Sequence, residues 1–245
     1  MARPVAGGRH PADNPGPFVL VDRLDVPALD EADRHHLERV LRLRPGDPLV
    51  LGDGAGAWRT ARFGADLEIT GDLERCDRPT PAVGVGFALV KAAKPELVVQ
   101  KLTELGVDRI VPFRAERSVV HWDAERADRG HRRLVAVARS ATMQSHRPWL
   151  PSVEPVLSLA ELLGEPGVAI ADRAGTAPAG RDALVLVGPE GGWSPAERAM
   201  AAEAGARCVV IGEHVLRAET AAITAGVLLT GIRAGLVTPG APHGA

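Results

Sequence analysis

The segment that most restricts the fold is a strand-like apolar run that leads through a glycine-rich loop into a clearly marked helix start. The run is Leu184–Val187 and the loop is Gly188–Gly192. The helix start combines Ser194 as N-cap, Pro195 in the first turn and Glu197 as the acid of a capping box. A strand that passes directly into a helix is the repeating unit of α/β domains. Glycines here let the backbone approach a ligand closely, although a tight strand-to-helix turn explains them equally well.

The residues of this loop limit the ligand that it could bind. A phosphate-binding P-loop needs a lysine at a fixed distance from its glycines, and Gly188–Gly192 is followed by none. The carboxylate of Glu190 would also repel phosphate. The loop therefore favours a neutral or cationic ligand.

A second strand–loop–helix segment follows the first. The apolar run Val209–Ile211 leads to a largely apolar helix whose entrance carries Arg217, Glu219 and Thr220. Capping of free backbone N–H groups by Thr220 or Glu219 explains these residues as well as a ligand site does.

Strand-like and helix-like patterns alternate after the proline-bearing stretch Arg78–Pro81, which predicts an α/β domain over residues 78–245. Residues 236–245 are expected to form a flexible tail. Helical periodicity predicts helices over Pro95–Leu105 and Asp123–Ser145. The predicted strands are Val83–Val90, Asp108–Phe113, Val168–Ala171, Ala183–Val187 and Val209–Ile211.

The first part of the chain, residues 1–77, has the pattern of a small and mainly β domain after an irregular stretch at 1–17. Short apolar runs alternate with turn signals, and one helical stretch, Glu31–Leu43, interrupts them. The turn Gly52–Gly56 contains G-x-G-x-G, but strand-like residues follow it, so a hairpin is favoured over a dinucleotide site.

Positive charge is concentrated in two windows, although the net charge of −2 argues against nonspecific coating of nucleic acid. Any single arginine is explained by a solvated helix face, whereas two windows together favour a polyanionic partner. The arginines are Arg34, Arg39, Arg42 and Arg44 in the first window, and Arg126, Arg129, Arg132, Arg133, Arg139 and Arg147 in the second.

Several other classes of protein find no support in the sequence. No apolar stretch is long enough to span a membrane and no signal-peptide pattern is present, so we expect a cytoplasmic protein. Cys76 and Cys208 stand apart and in no C-x-x-C pair, which predicts two free thiols and neither a disulfide nor a zinc site.

Taken together, the two loop segments resemble the paired cofactor loops of RsmE-type methyltransferases in the SPOUT superfamily. The resemblance rests on Gly188–Gly192 followed by an aromatic residue, and on Leu216–Ala221 after the next strand. Lys94–Gly106 and Glu116–Ser118 are similar to the family's first methyltransferase-domain helix and the loop after it. The segments similar to the family's PUA-like RNA-binding domain are His35–His36, Arg39–Arg42 and Pro45–Asp47.

The resemblance implies an α/β fold with a SPOUT-type trefoil-knotted methyltransferase domain, preceded by a small, mainly β, PUA-like domain. It further implies S-adenosyl-L-methionine as cofactor, an obligate homodimer, no metal, and methylation of uridine N3 in 16S rRNA of the small ribosomal subunit. The implied cofactor-binding residues are Leu186, Val187, Gly188, Pro189, Glu190, Gly191, Gly192, Ile211, Gly212, Val215, Leu216, Arg217, Thr220 and Ala221.

The resemblance also suggests residues for catalysis and for RNA binding. Glu190 is expected near the positive sulfonium of the cofactor, and Arg147 with Arg217 near the uracil oxygens. Glu219 or a water is expected to accept the uracil proton. The implied RNA-binding residues are His35, His36, Arg39, Arg42, Arg117, Arg139, Gln144 and Arg147.

Two positions depart from the family pattern, and two other functions remain alternatives. Met143 stands where a glutamate is usual and His214 where an arginine is more common, which bears on substrate contacts rather than on the glycine loop. A noncatalytic RNA-binding or ribosome-assembly protein is one alternative, although 3% aromatic residues and no tyrosine disfavour a base-stacking platform. A SPOUT methyltransferase of tRNA or ribose is the other, disfavoured by the N-terminal resemblance.

Overall fold

The computed structural model describes residues 10–89, 95–118 and 124–238, which divide into two compact units. The first unit contains the chain up to Pro79 together with Arg139–Leu150, and the second contains Thr80–Ala138 and the residues from Pro151 onward. The first unit therefore includes Arg139–Leu150. The sequence prediction, with a single domain boundary after residue 77, includes this segment in the second domain.

The first unit is built on a five-stranded sheet. Strand β1 pairs in parallel with β2, whereas β3 pairs antiparallel with β2, β4 and β5. The mainly β prediction is confirmed, as is the hairpin at Gly52–Gly56, because β2 and β3 pair across it. The strands are β1 (Phe18–Leu20), β2 (Pro48–Gly52), β3 (Ala57–Arg62), β4 (Glu68–Ile69) and β5 (Glu74–Arg75).

The helical segment of the first unit begins as helix α1 (Glu31–His35) and continues as a π-helical turn, His36–Val40. Asp30 caps α1, because its carboxylate accepts a hydrogen bond of 2.6 Å from the backbone N–H of Asp33. Leu37 is fully buried in the core of the unit, which fixes the π-helical turn to the rest of the unit.

This segment is shorter than the apolar pattern predicts, so the expected helix over Glu31–Leu43 is wrong at its end. The backbone N–H of Leu41 donates to the carbonyl of His36 at 3.1 Å, which is the wider closure of a π turn. Arg42 then has a φ of 58°, a left-handed conformation that ends a helix. The pattern extended to Leu43 because that side chain also packs against the core.

The second unit is an α/β domain with a seven-stranded parallel sheet, which confirms the predicted class. The strand order is β12-β10-β11-β6-β7-β8, and β9 pairs with β7. The strands are β6 (Gly84–Ala88), β7 (Arg109–Arg114), β8 (Ser152–Val153), β9 (Leu157–Ser158), β10 (Val168–Thr176), β11 (Leu184–Val187) and β12 (Arg207–Val209). The helices are α2 (Pro95–Glu104), α3 (Ala124–Gln144), α4 (Leu159–Leu163), α5 (Pro195–Glu203) and α6 (Ala218–Arg233).

Helices cover both faces of this sheet. Helices α2 and α6 and the first part of α3 pack on one face, through side chains such as Leu102, Leu134 and Ala225. Helices α4 and α5 pack on the other face through Leu162 and Ala201. Because both faces of β6 and β11 are buried, these strands are continuous apolar runs rather than alternating ones.

The five predicted strands of the second unit all differ somewhat from their predicted bounds, among them β10 and β12, which reach the glycine-loop region. Strand β10 runs on to Thr176 instead of ending at Ala171, since it pairs with β12 again after an irregularity in register. Strand β12 ends at Val209, so Val210 and Ile211 lie in the loop after the strand. Some predicted positions lie outside the described residues. They are the predicted strand end at Val90, the predicted helix start at Asp123, residue Lys94, and the stretches 1–9 and 239–245. The trefoil knot stays a prediction.

Cys208 is an exposed free thiol, and Cys76 is partly buried in the first unit. None of the helices within the described residues is both long enough and apolar enough to cross a membrane.

Candidate cofactor site

The second unit contains a pocket at the carboxyl ends of β11 and β12 and beside the middle of β10, which lies between these two strands. Its volume is about 340 Å³, within the range of small-molecule sites. Ligands of open α/β sheets bind beyond the carboxyl ends of the strands, so the location fits a cofactor. The predicted cofactor residues that line the pocket are Val187, Gly188, Pro189, Glu190, Gly191, Gly192, Ile211, Gly212, Val215, Leu216 and Ala221.

Three of the predicted cofactor residues are not part of this lining within the described structure. Leu186 is fully buried in the core on the face of the sheet that α4 and α5 cover. Arg217 and Thr220 are exposed at the start of α6. Alternation along a strand explains Leu186, because neighbouring side chains of β11 point to opposite faces.

The glycine loop is anchored at its end by the predicted capping box of α5. Ser194 caps the helix with its hydroxyl, Pro195 occupies the first turn, and the Glu197 carboxylate accepts a hydrogen bond of 2.8 Å from the backbone N–H of Ser194. Both Ser194 and Glu197 are buried. The loop therefore has a defined end rather than a free one.

Trp193 explains why the loop begins with glycine. Its indole N–H donates to the carbonyl of Ala171 at 2.9 Å, and its ring stacks on Phe113 with a centroid distance of 5.9 Å. A Cβ atom on Gly188 would lie 3.0 Å from the indole ring. A larger residue at this position would therefore displace the tryptophan or the loop.

A neighbouring loop braces the glycine loop from outside. The guanidinium of Arg117 donates to the carbonyl of Gly191 at 2.6 Å. The backbone N–H of Glu116 donates to the Glu197 carboxylate at 2.8 Å, and the Ser194 hydroxyl bonds to the Glu116 carboxylate. Glu116–Ser118, singled out above only by resemblance, is thus a physical support of the glycine loop.

The second loop leads into α6 without a side-chain cap. Arg217 is the N-cap residue of α6 and makes no side-chain capping bond. One carboxylate oxygen of Glu219, Oε2, is buried and has no hydrogen-bond partner among the described residues. A buried carboxylate oxygen without a donor is costly, and a ligand that supplies a donor would relieve that cost.

Charged residues that the sequence reasoning missed also line the pocket. Asp172 and Arg198 form an ion pair that joins the middle of β10 to the first turns of α5, and the Asp172 side chain is only 9% exposed. Arg173 and Glu190 also line the pocket, together with the imidazole of His214. In the sequence, Asp172 and Arg173 directly follow the apolar run Val168–Ala171, which is the signal that could have identified them.

The residues expected to bind RNA in the first unit are mainly exposed. His35, His36, Arg39, Arg42 and Gln144 lie on the surface of that unit. Arg147, expected to take part in catalysis, is partly buried and also belongs to this unit, whereas the pocket belongs to the second.

Arg139 has internal partners in the first unit. Its guanidinium binds both carboxylate oxygens of Asp33, at 3.0 and 2.6 Å, and donates to the carbonyl of Leu20 at 2.9 Å. The hydrogen bond to Asp33 raises the pKa of Arg139, and burial works against that rise. These contacts give Arg139 a role in holding the first unit together.

Other arginines of the second window are paired within the second unit. Arg129 pairs with Glu125 and Arg132 with Asp128 along α3. Arg133 pairs with Glu96 at 3.0 Å. The window is therefore less cationic than its sequence suggests, because acidic partners come from the same helix and from α2.

The part of the chain that the structure describes contains no cluster of three or more His, Cys, Asp or Glu side chains placed to hold a metal ion.

Comparison with known proteins identifies the class of protein. Residues 77–230 match the family model of an RNA methyltransferase domain, and residues 29–66 match that of an RNA methyltransferase PUA domain. Together with the parallel sheet and the glycine-loop pocket, these matches define an RNA methyltransferase with an N-terminal PUA domain.

Individual relatives narrow the class to one family. The ribosomal RNA small subunit methyltransferase E of Mycobacterium bovis is 37% identical over 229 residues, which cover 84% of this chain and 87% of the relative. The chain therefore belongs to the ribosomal RNA small subunit methyltransferase E family.

Solved structures agree with this assignment. The ribosomal RNA small subunit methyltransferase E of Neisseria gonorrhoeae, bound to S-adenosyl methionine, has a TM-score of 0.74 and 29% identity, covering 88% of this chain and 97% of that one. A methyltransferase of Legionella pneumophila, in complex with the cofactor SAM, has a TM-score of 0.76 and 27% identity, covering 87% and 96%.

Proposed function

We propose that this protein is an S-adenosyl-L-methionine-dependent methyltransferase that methylates N3 of a uridine in 16S rRNA of the small ribosomal subunit. The observation that carries the proposal is the glycine-loop pocket at the carboxyl ends of β11 and β12, in a chain of this family. The reaction acts on ribosomal RNA, so we place the protein in the cytoplasm.

The pocket suits the cofactor in shape and in charge. The backbone of Gly188–Gly192 and of Ile211–Gly212 can approach the adenosine closely, and Val187 and Leu216 offer apolar contact. When bound, the cofactor supplies a methyl group on a positively charged sulfonium. The carboxylate of Glu190 at the rim favours such a cation, as it disfavours phosphate.

The protein's own residues then position the uracil ring and remove the proton from its N3. Glu219 is the candidate proton acceptor, because its buried Oε2 has no donor among the described residues and can take a hydrogen bond from N3–H. Arg217, exposed at the N-cap of α6, is proposed to neutralise the charge that develops on a uracil oxygen. Holding the reacting atoms in line accounts for much of such a rate enhancement.

Labelled methyl transfer to unmodified small ribosomal subunits tests the proposed function, with the product nucleoside identified by mass spectrometry. We expect N3-methyluridine as the product. A ribose-methylated nucleoside, or methylation of tRNA instead, would replace the proposed substrate. Failure to bind the cofactor at all would favour a noncatalytic RNA-binding protein.

Arg147 is proposed to act on the RNA rather than on the cofactor. We expect Arg147→Ala to lower the rate of methyl transfer at least tenfold while cofactor affinity stays within about twofold, since one lost charge-assisted hydrogen bond of about 1.5–3 kcal/mol corresponds to that loss. Calorimetric titration with the cofactor, run beside the transfer assay, separates the two effects. A parallel loss of cofactor affinity would contradict the assignment.

We also propose that the protein is a homodimer that associates through an apolar face of the second unit. A cavity of about 440 Å³ is lined by apolar side chains of α6 and of the segment after it, among them Leu228, Ile232 and Val237. Val227, 44% exposed, and Leu236, 82% exposed, add apolar surface on the same two segments. Extended apolar surface of this kind is typical of subunit interfaces.

A further inference from the structure

The π-helical turn of the first unit presents two large apolar side chains to solvent. Val40 is 61% exposed and Leu41 is 46% exposed, although two nearby leucines of the same segment pack inward. Leu37 is buried in the core and Leu43 packs against it. The fold of this unit therefore turns Val40 and Leu41 outward while it fixes the chain on either side of them.

The backbone that holds this pair is unusual and well supported. The wide π turn is closed from Leu41 to His36, and the backbone N–H of Leu43 donates to the carbonyl of Leu37 at 3.0 Å. Arg42 has a backbone φ of 58°, which residues other than glycine rarely adopt. Single π turns and strained backbone recur at functional sites, where the surrounding structure holds them in place.

The first turn of this segment is also fixed from its other side. The guanidinium of Arg34 donates to the carbonyls of Gly64 and Ala65, at 3.0 Å each, and lies over the ring of Phe63. A ligand that meets Val40 and Leu41 therefore encounters a surface that is already ordered, which lowers the entropic cost of binding.

Cationic side chains surround the apolar pair. Exposed basic residues flank the pair on both sides. The two nearby carboxylates have partners of their own: Glu38 lies 3.8 Å from Arg34, and Asp47 accepts a hydrogen bond from the backbone N–H of Arg44. A phosphate backbone satisfies the cations but offers nothing to two aliphatic side chains. The flanking exposed residues are His35, His36, Arg39, Arg42 and Arg44.

We propose that Val40 and Leu41 form an apolar contact for unpaired bases of the substrate RNA, between arginines that hold the adjacent phosphates. RNA is recognised largely through unstacked bases in loops and single strands, whose faces are apolar and whose backbone is anionic. A flat base face matches the aliphatic pair, and the charge of its backbone matches the arginines. The inference rests on the proposed function, since it takes ribosomal RNA as the partner.

Salt dependence separates the two kinds of contact. Contacts to phosphate release counterions, so their loss flattens the slope of log affinity against log salt by about 0.7 for each phosphate of a single strand. Apolar contacts release none. We expect Val40→Ser with Leu41→Ser to weaken binding to protein-free 16S rRNA about tenfold at every salt concentration, with the slope unchanged.

The comparison variants are matched to this test. Arg39→Gln with Arg42→Gln should make the slope shallower by about 1.4. Val26→Ser with Leu73→Ser removes two apolar side chains of similar exposure, 67% and 47%, from the same unit and should change neither affinity nor slope. Thermal unfolding of each variant shows whether the first unit remains folded.

Three outcomes would overturn the inference. The first is that the Val40→Ser, Leu41→Ser variant binds RNA as tightly as the Val26→Ser, Leu73→Ser control. The second is that binding is weaker to intact subunits but not to protein-free RNA. The third is that self-association changes while RNA affinity does not. If the unaltered protein transferred no methyl group, the proposed function would be contradicted instead. The two failures can be told apart because the binding measurement does not depend on catalysis.

Discussion

At the scale of single residues, Arg139 shows how an arginine in a basic window can be structural. Its guanidinium is bound by both oxygens of Asp33, whose side chain is 11% exposed, and by the carbonyl of Leu20. Loss of the guanidinium leaves a nearly buried carboxylate without its counter-charge, which costs more than loss of an exposed ion pair. The charge of Arg139 therefore contributes to folding before it can contribute to RNA binding.

Arg139→Met tests this role. We expect it to destabilise the first unit by about 2 kcal/mol, because charge-assisted hydrogen bonds to a shielded carboxylate are lost. Urea unfolding followed by tryptophan fluorescence measures the change. The control is Arg129→Met. The Arg129 side chain is 61% exposed and forms an ion pair with Glu125 on α3, so the expected cost is under about 0.5 kcal/mol. If the two variants were equally stable and Arg139→Met bound RNA more weakly, Arg139 would be an RNA-binding residue rather than a structural one.

At the scale of elements, the glycine loop depends on its supports more than on its own sequence. Trp193, the capping box of α5 and the Glu116–Ser118 loop each bind it, so its backbone is held before a ligand arrives. A loop of this kind loses little conformational entropy on binding. Its affinity for the cofactor should therefore be sensitive to substitutions that shift Trp193.

Gly188→Ala is such a substitution. The added Cβ would lie 3.0 Å from the indole ring of Trp193, so the ring or the loop must move. Overpacking of this kind costs about 1–3 kcal/mol, and we expect cofactor affinity to fall about tenfold or more by calorimetric titration. Gly180→Ala is the matched control, because a Cβ atom there meets nothing within 4 Å. Unchanged affinity in Gly188→Ala would show that the loop does not set the binding geometry.

The elements of the second unit could be predicted where a local sequence pattern was sufficient to define the strand or helix. Leu184–Val187 and the capping box that starts with Ser194 are local patterns, and the structure confirms both. Arg139 donates a hydrogen bond to the carbonyl of Leu20, which lies far away in sequence, and no local pattern indicates such a contact. Asp172 was missed because its role depends on α5, which only the fold brings to it.

At the scale of the whole molecule, the apolar face of α6 bears on both association and cofactor binding. Val210, Ile211 and Gly212 line the cofactor pocket and also the neighbouring apolar cavity. A partner subunit that covers the cavity would therefore restrain the loop that the cofactor contacts. Association and cofactor affinity are expected to be coupled, and coupling between two binding events acts in both directions.

Val227→Asp tests the association and its consequence together. Val227 is 44% exposed on α6, so the carboxylate is tolerated in a monomer but is costly in an apolar interface. We expect the unaltered protein to sediment as a dimer at micromolar concentration and the variant as a monomer with weaker cofactor binding. Met200→Asp, at a 39% exposed position on α5, should remain dimeric because α5 covers the opposite face of the sheet. A monomeric unaltered protein that binds the cofactor fully would exclude the coupling, since the pocket would then be complete within one chain.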